Sequence, residues 1–226
     1  LYPGVPKVQV DENGDPIKQR LGNTVAPTTG GFGFDGRVGN FDFNIFFNYS
    51  IGNKLINGTK LANSFYAGSS KNYNLVADFN LANRYTWIDP ENGLNLGRPS
   101  SSTITTYGGV EAVMARLNEL NANANIYNPA GVTAMQLIDY AVEDASFLRL
   151  QNITVGYTLP KKWTKALQIE NIRIYFTGYN LFCFTGYDGY DPEVDTSSKK
   201  NPMCPGVDYA AYPKSRTFVG GINVTF

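Results

Sequence analysis

The densest group of side chains that could perform chemistry is an acidic segment with four carboxyls, Asp188, Asp191, Glu193 and Asp195. Two carboxyls can act as the acid and base of a glycosidase, and carboxylate oxygens also bind Ca²⁺. The spacing matches no calcium-loop pattern, and a flexible loop is a poor place to hold two carboxyls apart. We therefore predict no catalytic residue and no bound metal, and expect a solvated loop or a loop that docks a partner.

The chain of 226 residues contains no histidine. Histidine is the commonest general base and metal ligand, so this chain alone cannot build a Ser-His-Asp triad, a Cys-His dyad or a histidine-bearing zinc site. Its 19 Lys and Arg are balanced by 19 Asp and Glu, whereas nucleic-acid binding needs clustered positive charge. We predict neither an enzyme nor a nucleic-acid-binding protein, and no cofactor.

Glycines at positions 30, 31, 33 and 36 form the second group that could bind a ligand. A phosphate-binding loop needs a Lys-Ser/Thr pair and a following helix, and neither is present here. The glycines instead predict kinks or close backbone approaches within a strand.

Alternating side chains indicate the elements that must position these groups. Between Phe41 and Ile51, apolar residues occupy every second position, and Phe46 is the one exception on the polar side. A period of two is typical of a β-strand. This strand fits two structures equally well: a soluble sandwich that buries its apolar face, or a transmembrane barrel with that face toward lipid.

Further strands are predicted at 30–38, within 146–159, from 172 toward 184 and from 214 to 226. The connections between them alternate: a tight turn, a very long segment, a short connection and a long loop over 186–213. Membrane barrels have short periplasmic turns and long outer loops. This order favours a barrel, with its C-terminus in the periplasm.

The very long segment, 52–145, is polar and mixed, and we expect only local structure in it. Helical spacing predicts a helix over 110–120, and a weaker helix is predicted over 134–142. The residues expected on one face of the first helix are Val110, Val113, Met114, Leu117 and Leu120.

The chain opens at Leu1 without a Met or a signal peptide. Its apolar runs, such as 112–115, are far shorter than the ~18 residues of a membrane-spanning helix. We expect a fragment or a processed chain.

The segment 146–160, SFLRLQNITVGYTLP, resembles the C-terminal signature of SusC/RagA-type TonB-dependent outer-membrane transporters. The similarity is specific because several such segments occur in the same order as in the family. The others are 41–56, 172–182, 189–193, 212–218 and 221–226.

This resemblance implies an all-β fold, the C-terminal strands of a transmembrane antiparallel barrel of about 22 strands with long extracellular loops. Residues 30–51 would form a strand pair, 52–145 an extracellular loop region, and 146–226 the last three strands. The plug domain is absent from this chain. Because about five strands cannot close a barrel, the remaining part of the same barrel must lie elsewhere.

The resemblance further implies import of large nutrients, most often oligosaccharides, across the outer membrane of Bacteroidetes-type bacteria. The implied partners are a SusD-like surface lipoprotein, TonB through the missing N-terminal part, and outer-membrane lipid. Two alternatives stay open: a peptide importer of the same family, and a secreted carbohydrate-binding β-sandwich that would be soluble without detergent.

Residues for specific roles follow from this interpretation. Substrate or lid contacts are expected from outer-loop aromatics, although loop packing is the alternative: Trp87, Tyr187, Tyr190, Tyr209 and Tyr212. A barrel-assembly signal is expected at the C-terminus, against an ordinary edge strand: Phe218, Ile222, Val224 and Phe226. In an oxidising compartment Cys183 and Cys204 are expected to form a disulfide, against two free thiols.

Overall fold

The computed structural model describes residues 3–6, 8–65, 74–132, 139–165, 168–194 and 205–226. The chain divides into two compact units. The sheet unit contains Leu21–Gly58 and Val142–Phe226, and the insert unit contains Leu1–Arg20 and Thr59–Ala141.

The strands all belong to the sheet unit. In chain order they are β1 (Thr28–Val38), β2 (Phe41–Ile51), β3 (Lys54–Asn57), β4 (Val142–Asp144), β5 (Phe147–Thr158), β6 (Asn171–Thr185), β7 (Val207–Asp208) and β8 (Thr217–Thr225). Five of them form an antiparallel sheet in the order β1-β2-β5-β6-β8. The short strands form a second sheet, β4-β3-β7, in which β3 and β7 are parallel.

The predicted strand over 41–51 is confirmed as β2, and its alternation defines the two faces of the large sheet. On the apolar face, aromatic rings of neighbouring strands pack together: Phe32 stacks on Phe47 with centroids 5.2 Å apart, and Phe176 stacks on Phe218 at 5.9 Å. Phe32, Phe176 and Phe218 are exposed among the described residues, and Phe47 is half-buried. A β-sandwich would bury such a face, so the exposure disagrees with that alternative.

A bulge in β5 changes the alternation in a way that the sequence pattern does not reveal. Ile153 pairs with Ile45, but Leu150 pairs with Phe47, so β5 has one extra residue, Gln151, between these pairs. Because directly paired residues share a face, Leu150 and Ile153 both lie on the apolar face although three positions separate them. The apolar face therefore carries the even-numbered Leu148 and Leu150 before the bulge and odd-numbered residues of β5 after it.

Phe46, the exception in the alternation of β2, covers glycines of β1 on the polar face. A Cβ atom on Gly31 would lie 2.6 Å from the Phe46 ring, and one on Gly33 would lie 2.9 Å from it. The predicted close approach at these two glycines is therefore confirmed. The ring fills the space that the missing side chains leave, as aromatic residues do beside strand glycines.

The insert unit is ordered around a core of its own. Its helices are α2 (Ser101–Tyr107) and α3 (Val110–Leu120), which follow α1 (Gly58–Ala62) along the chain. Leu96, Val113 and Leu117 form the buried cluster, with Ile104 and Leu120 packed against it. The expectation of only local structure in 52–145 is therefore wrong, because the two helices bury a shared apolar cluster.

The helix predicted over 110–120 is confirmed as α3, but its buried face is narrower than predicted. Val113 and Leu117 are buried, whereas Val110 and Met114 are exposed. The cause is the set of partners, because the cluster around Leu96 is contacted by Val113, Leu117 and Leu120 of α3 and not by Val110 or Met114.

The remaining helical segments are short. They are α4 (Lys161–Thr164) and three 3₁₀ turns, Ala77–Phe79, Pro129–Gly131 and Asp139–Ala141. Most of the weaker helix predicted over 134–142 lies outside the described residues, and Val142 already begins β4. Within the described part of the chain, each helix is too short or too polar to cross a membrane.

Candidate functional site

The polar face of the large sheet carries a row of side-chain hydrogen bonds across β1, β2 and β5. Asn44 donates to Asp35 at 2.6 Å, and Asn152 donates to Asn44 at 2.7 Å. One step further along the sheet, the hydroxyls of Thr154 and Thr177 lie 2.8 Å apart. This part of the face is therefore a polar wall in which Asp35, Asn44 and Asn152, and separately Thr154 and Thr177, are hydrogen-bonded to one another.

One end of this face lies where short connections join β1 to β2 and β5 to β6. Near that end, Asp42 of β2 binds Arg173 of β6. The guanidinium Nε and Nη2 atoms donate to the two carboxylate oxygens at 2.9 and 2.5 Å. Strand β5 lies between the partners and contributes Gly156 at that point. A Cβ atom there would lie 2.5 Å from Arg173 Nη2 and 2.6 Å from Asp42 Oδ1, so the pair requires glycine.

At the opposite end of the face, Arg149 is held between two carboxylates of the acidic segment. It reaches Asp191 through Nη2 at 2.6 Å and Glu193 through Nε at 2.6 Å, and only 4% of its side chain is exposed. Lys214 adds an ion pair to Glu193 at 2.9 Å, and its backbone N–H donates to Asp191 at 3.0 Å. These contacts tie both ends of the loop between β6 and β8 to one residue of β5.

The expectation of a solvated acidic loop is therefore wrong for Asp191 and Glu193. Arg149 and Lys214 together supply two positive charges against these two carboxylates, and both carboxylates are held by ion pairs or hydrogen bonds. Asp195 lies outside the described residues. Among the described residues no group of three or more His, Cys, Asp or Glu could hold a metal ion.

Two of the five predicted aromatic contacts are buried. Only 5% of Tyr187 is exposed, and its hydroxyl donates to Asp208 at 2.7 Å; burial, with the nearby Asp208 carboxylate, raises the Tyr187 pKa. Trp87 is 8% exposed, and its indole N–H donates to the Pro3 carbonyl at 2.8 Å. For these two residues the prediction of a ligand contact is corrected, because their rings serve internal packing.

The other three aromatic candidates, Tyr190, Tyr209 and Tyr212, are exposed, Tyr212 to 88%. They are accessible to a ligand or a partner, and the contact stays a prediction.

The C-terminal residues and the cysteines keep their predicted roles as predictions. Phe218, Ile222 and Val224 lie on the apolar face of the edge strand β8, and Phe226 follows its end. Cys183, opposite Arg149 on the polar face, forms no disulfide among the described residues. Its predicted partner Cys204 lies outside them.

Outside the large sheet, two carboxylates are strongly stabilised by neighbours. Hydrogen bonds from Ser146, with a contribution from Lys54, lower the pKa of Asp144 to about 2. In the insert unit, Arg116 binds Asp89 at 2.9 Å and holds the pKa of that carboxyl well below its usual range. Asp144 thereby joins the end of β4 to Lys54 of β3, and Asp89 joins its loop to α3.

Comparisons with known proteins agree with this architecture, although no protein-family model matches the chain. TonB-dependent receptor P3 of Formosa agariphila is 30% identical over 210 residues, which are 91% of this chain and 17% of that protein. TonB-dependent receptor SusC of Bacteroides thetaiotaomicron is 37% identical over 89 residues, 39% of this chain and 8% of SusC. The chain belongs to the SusC/RagA-type TonB-dependent receptors. It spans less than about a fifth of the length of these relatives.

A solved structure of the RagAB peptide transporter shares the fold of this SusC/RagA-type chain. The match covers all of this chain and 20% of the transporter chain, with a TM-score of 0.66 and 24% identity. TonB-dependent receptors are outer-membrane β-barrel proteins, and the antiparallel sheet with one apolar and one polar face suits a portion of such a barrel.

The ion pairs of this SusC/RagA-type chain were not predicted from the sequence, although it contains a signal for them. Strands β2, β5 and β6 each contain a single charged residue, and these are Asp42, Arg149 and Arg173. A lone charge on a partly buried face needs an opposite charge beside it. Asp42 and Arg173 also lie close to the starts of their strands, which indicates the same end of the sheet.

Proposed function

We propose that the protein to which this chain belongs imports large nutrients, chiefly oligosaccharides, across the bacterial outer membrane. The observation that supports this proposal is the two-faced sheet: an uncovered aromatic face suits lipid, and the opposite hydrogen-bonded polar face suits the lumen of a barrel. The relationship to TonB-dependent receptors agrees with it. Function is then gated passage of a solute rather than chemistry.

In this proposal the strands of the chain close a plugged barrel of about 22 strands. Both long connections leave the large sheet at one end and would lie outside the cell, while the C-terminus lies in the periplasm. A SusD-like surface lipoprotein would cap the outer end. TonB would act on a plug formed by another part of the protein.

The charge arrangement of the polar face supports a neutral substrate. Arg149 and Arg173 are each paired with carboxylates within 3 Å. A lumen whose charges are internally compensated offers hydroxyl and amide groups to a solute without a strong site for an ion. Neutral oligosaccharides suit such a wall.

A peptide is the second candidate substrate, because the solved structure with the same fold is described as a peptide transporter. Peptides carry backbone N–H and C=O groups that the same amide and hydroxyl side chains can bind. The two substrates are separated by the experiment below.

The proposal is tested by deleting the gene for the full-length receptor in its native host and supplying one polymer or peptide mixture at a time as the nutrient. We expect growth to fail on at least one oligosaccharide, to remain normal on its monosaccharide, and to return with the wild-type gene. Loss of growth on peptides alone would favour the second candidate. Unchanged growth on every oligosaccharide and peptide would contradict import.

A further inference from the structure

A cavity of about 440 Å³ lies in the sheet unit, at the end of the polar face where the long connections begin. Its floor is one row of paired residues, since Thr29 lies opposite Ser50 and Ser50 lies opposite Phe147. Asn48, one row deeper, adds to the polar lining together with Thr24 and Asn53. None of the aromatic residues predicted to contact a ligand lines this cavity.

The wall of the cavity is held in place by the buried ion pair. Glu193 lines the cavity and is bound by Arg149, which stands beside Asn48 in the sheet. The Arg149 guanidinium also lies 5.6 Å from the centroid of the Phe147 ring. The floor is therefore held by strand pairing and Glu193 by an ion pair, which reduces the ordering that these residues need when a ligand binds.

The chemistry of the lining selects among ligand classes. Hydroxyls and amides both donate and accept hydrogen bonds, which is the combination that a ring with several hydroxyl groups requires. The carboxylate in the wall is compensated by Arg149 and Lys214, so the cavity offers no net charge to an ion. The Phe147 ring adds an apolar surface to the floor, and the volume lies in the lower part of the range of ligand sites, roughly 300–1,000 Å³.

We propose that this cavity binds one neutral, hydroxyl-rich unit of the transported substrate, of the size of a single sugar ring. The proposal rests on the proposed import function, and it adds the place of contact and the residues that make it. Thr24 and Thr29 bind hydroxyl groups at the open side, and Glu193 accepts a hydrogen bond at the wall. Arg149 is a positioning residue, because it holds Glu193 and does not itself line the cavity.

The test uses the full-length receptor in detergent and follows binding by ligand-observed NMR. The probes are the methyl glycosides of glucose, galactose, mannose and rhamnose, with N-acetyl-trialanine amide as the peptide probe. We expect at least one glycoside to bind. Thr29→Val and Thr24→Val should each weaken binding about three- to tenfold, the effect of one lost hydrogen bond, and Thr29→Trp should abolish it by filling the cavity.

Thr28→Val and Thr28→Trp are matched controls, because Thr28 precedes Thr29 in β1 and faces the opposite side of the sheet. They should bind the glycoside as the wild type does. Folding of every variant is checked by its thermal unfolding midpoint. Glycoside binding that survives Thr29→Trp, binding of the peptide probe alone, or binding of none of the probes would overturn the proposal.

These outcomes are separable from failure of the import function. If deletion of the receptor abolishes growth on an oligosaccharide but Thr29→Trp leaves glycoside binding intact, import stands and the cavity site is overturned. If Thr29→Trp abolishes binding but deletion leaves growth on every oligosaccharide and peptide unchanged, the cavity site stands and import is overturned.

Discussion

Asp42 and Arg173 are separated by 131 positions in the sequence and form a bidentate ion pair across an intervening strand. The guanidinium passes over Gly156 of β5, the one place where that strand offers no side chain. The pair therefore joins three strands at the level of a single glycine. Its geometry depends on strand order as much as on the two charged residues.

Gly156→Ala should separate Asp42 from Arg173, because the new methyl group would occupy the space of the guanidinium. We expect the free energy of unfolding to fall by about 1–3 kcal/mol, as when a partly buried charged hydrogen bond is lost. Urea unfolding of the receptor in detergent measures the change. Gly220→Ala is the control, since a Cβ atom there meets nothing nearer than the Tyr175 carbonyl at 4.0 Å. Equal stability of the two variants would contradict the requirement for glycine.

Arg149→Leu should release both ends of the loop between β6 and β8. The substitution leaves Asp191 and Glu193 without their buried partner, and removal of one member of a buried pair typically costs about 3–5 kcal/mol. We expect faster cleavage by trypsin at Lys214 and a lower unfolding midpoint. Arg149→Lys should restore only part of the stability, because an ammonium group cannot reproduce the forked contact with two carboxylates.

Arg37→Leu is the matched control for this experiment, because it removes one arginine from an exposed position of the same sheet, far from Lys214. Its cleavage at Lys214 should proceed as in the wild type. Equal rates of cleavage at Lys214 in Arg149→Leu and Arg37→Leu would show that the buried pair does not hold the loop.

The insert unit should lose stability in acid through Asp89. Its pKa is lowered in the folded chain, chiefly by hydrogen bonding to Arg116, so the stabilisation is full above the unfolded pKa of about 3.9 and is lost as the pH falls below it. Hydrogen exchange in α2 and α3, corrected for intrinsic rates, should accelerate below about pH 4. Asp89→Asn should show the fast exchange already at pH 7, and Glu12→Gln, at an exposed turn, should behave as the wild type. Hydrogen exchange in α2 and α3 that is no faster at pH 3 than at pH 7, after the same correction, would contradict the role of Asp89.

Tyr187→Phe should destabilise the sheet unit without a direct effect on ligand binding. Removing the hydroxyl leaves the buried Asp208 without that donor, a loss of about 1–3 kcal/mol. Tyr190→Phe, which changes an exposed residue three positions away, should leave stability unchanged. Thermal unfolding compares the two variants. A larger loss of stability in Tyr190→Phe than in Tyr187→Phe would contradict the structural role of the Tyr187 hydroxyl.

The strands and the helix α3 could be predicted from the sequence because each repeats at a period set by its own backbone. Alternation over 41–51 and 153–159 follows from side chains that point to opposite faces of a strand, and the spacing over 110–120 follows from the turn of a helix. This local rule does not place Leu148 and Leu150, because a bulge adds a residue to one strand only where it pairs with its neighbour. The helical rule failed at Val110 and Met114, which do not contact the cluster around Leu96.

The candidate site depended almost entirely on contacts between distant segments. The sequence contains Arg149 and an acidic segment 42 positions away, but nothing local indicates that the sheet order brings them together. It also contains Gly156, but nothing local indicates that Asp42 and Arg173 pass close to this residue and make a glycine necessary there. Periodicity is a property of neighbouring residues, and so the alternating strands and their two faces were readable from the chain alone. Ion pairs, the cavity and the burial of Trp87 and Tyr187 arise from strand order and register, which only the folded structure determines because they join residues that no local pattern connects.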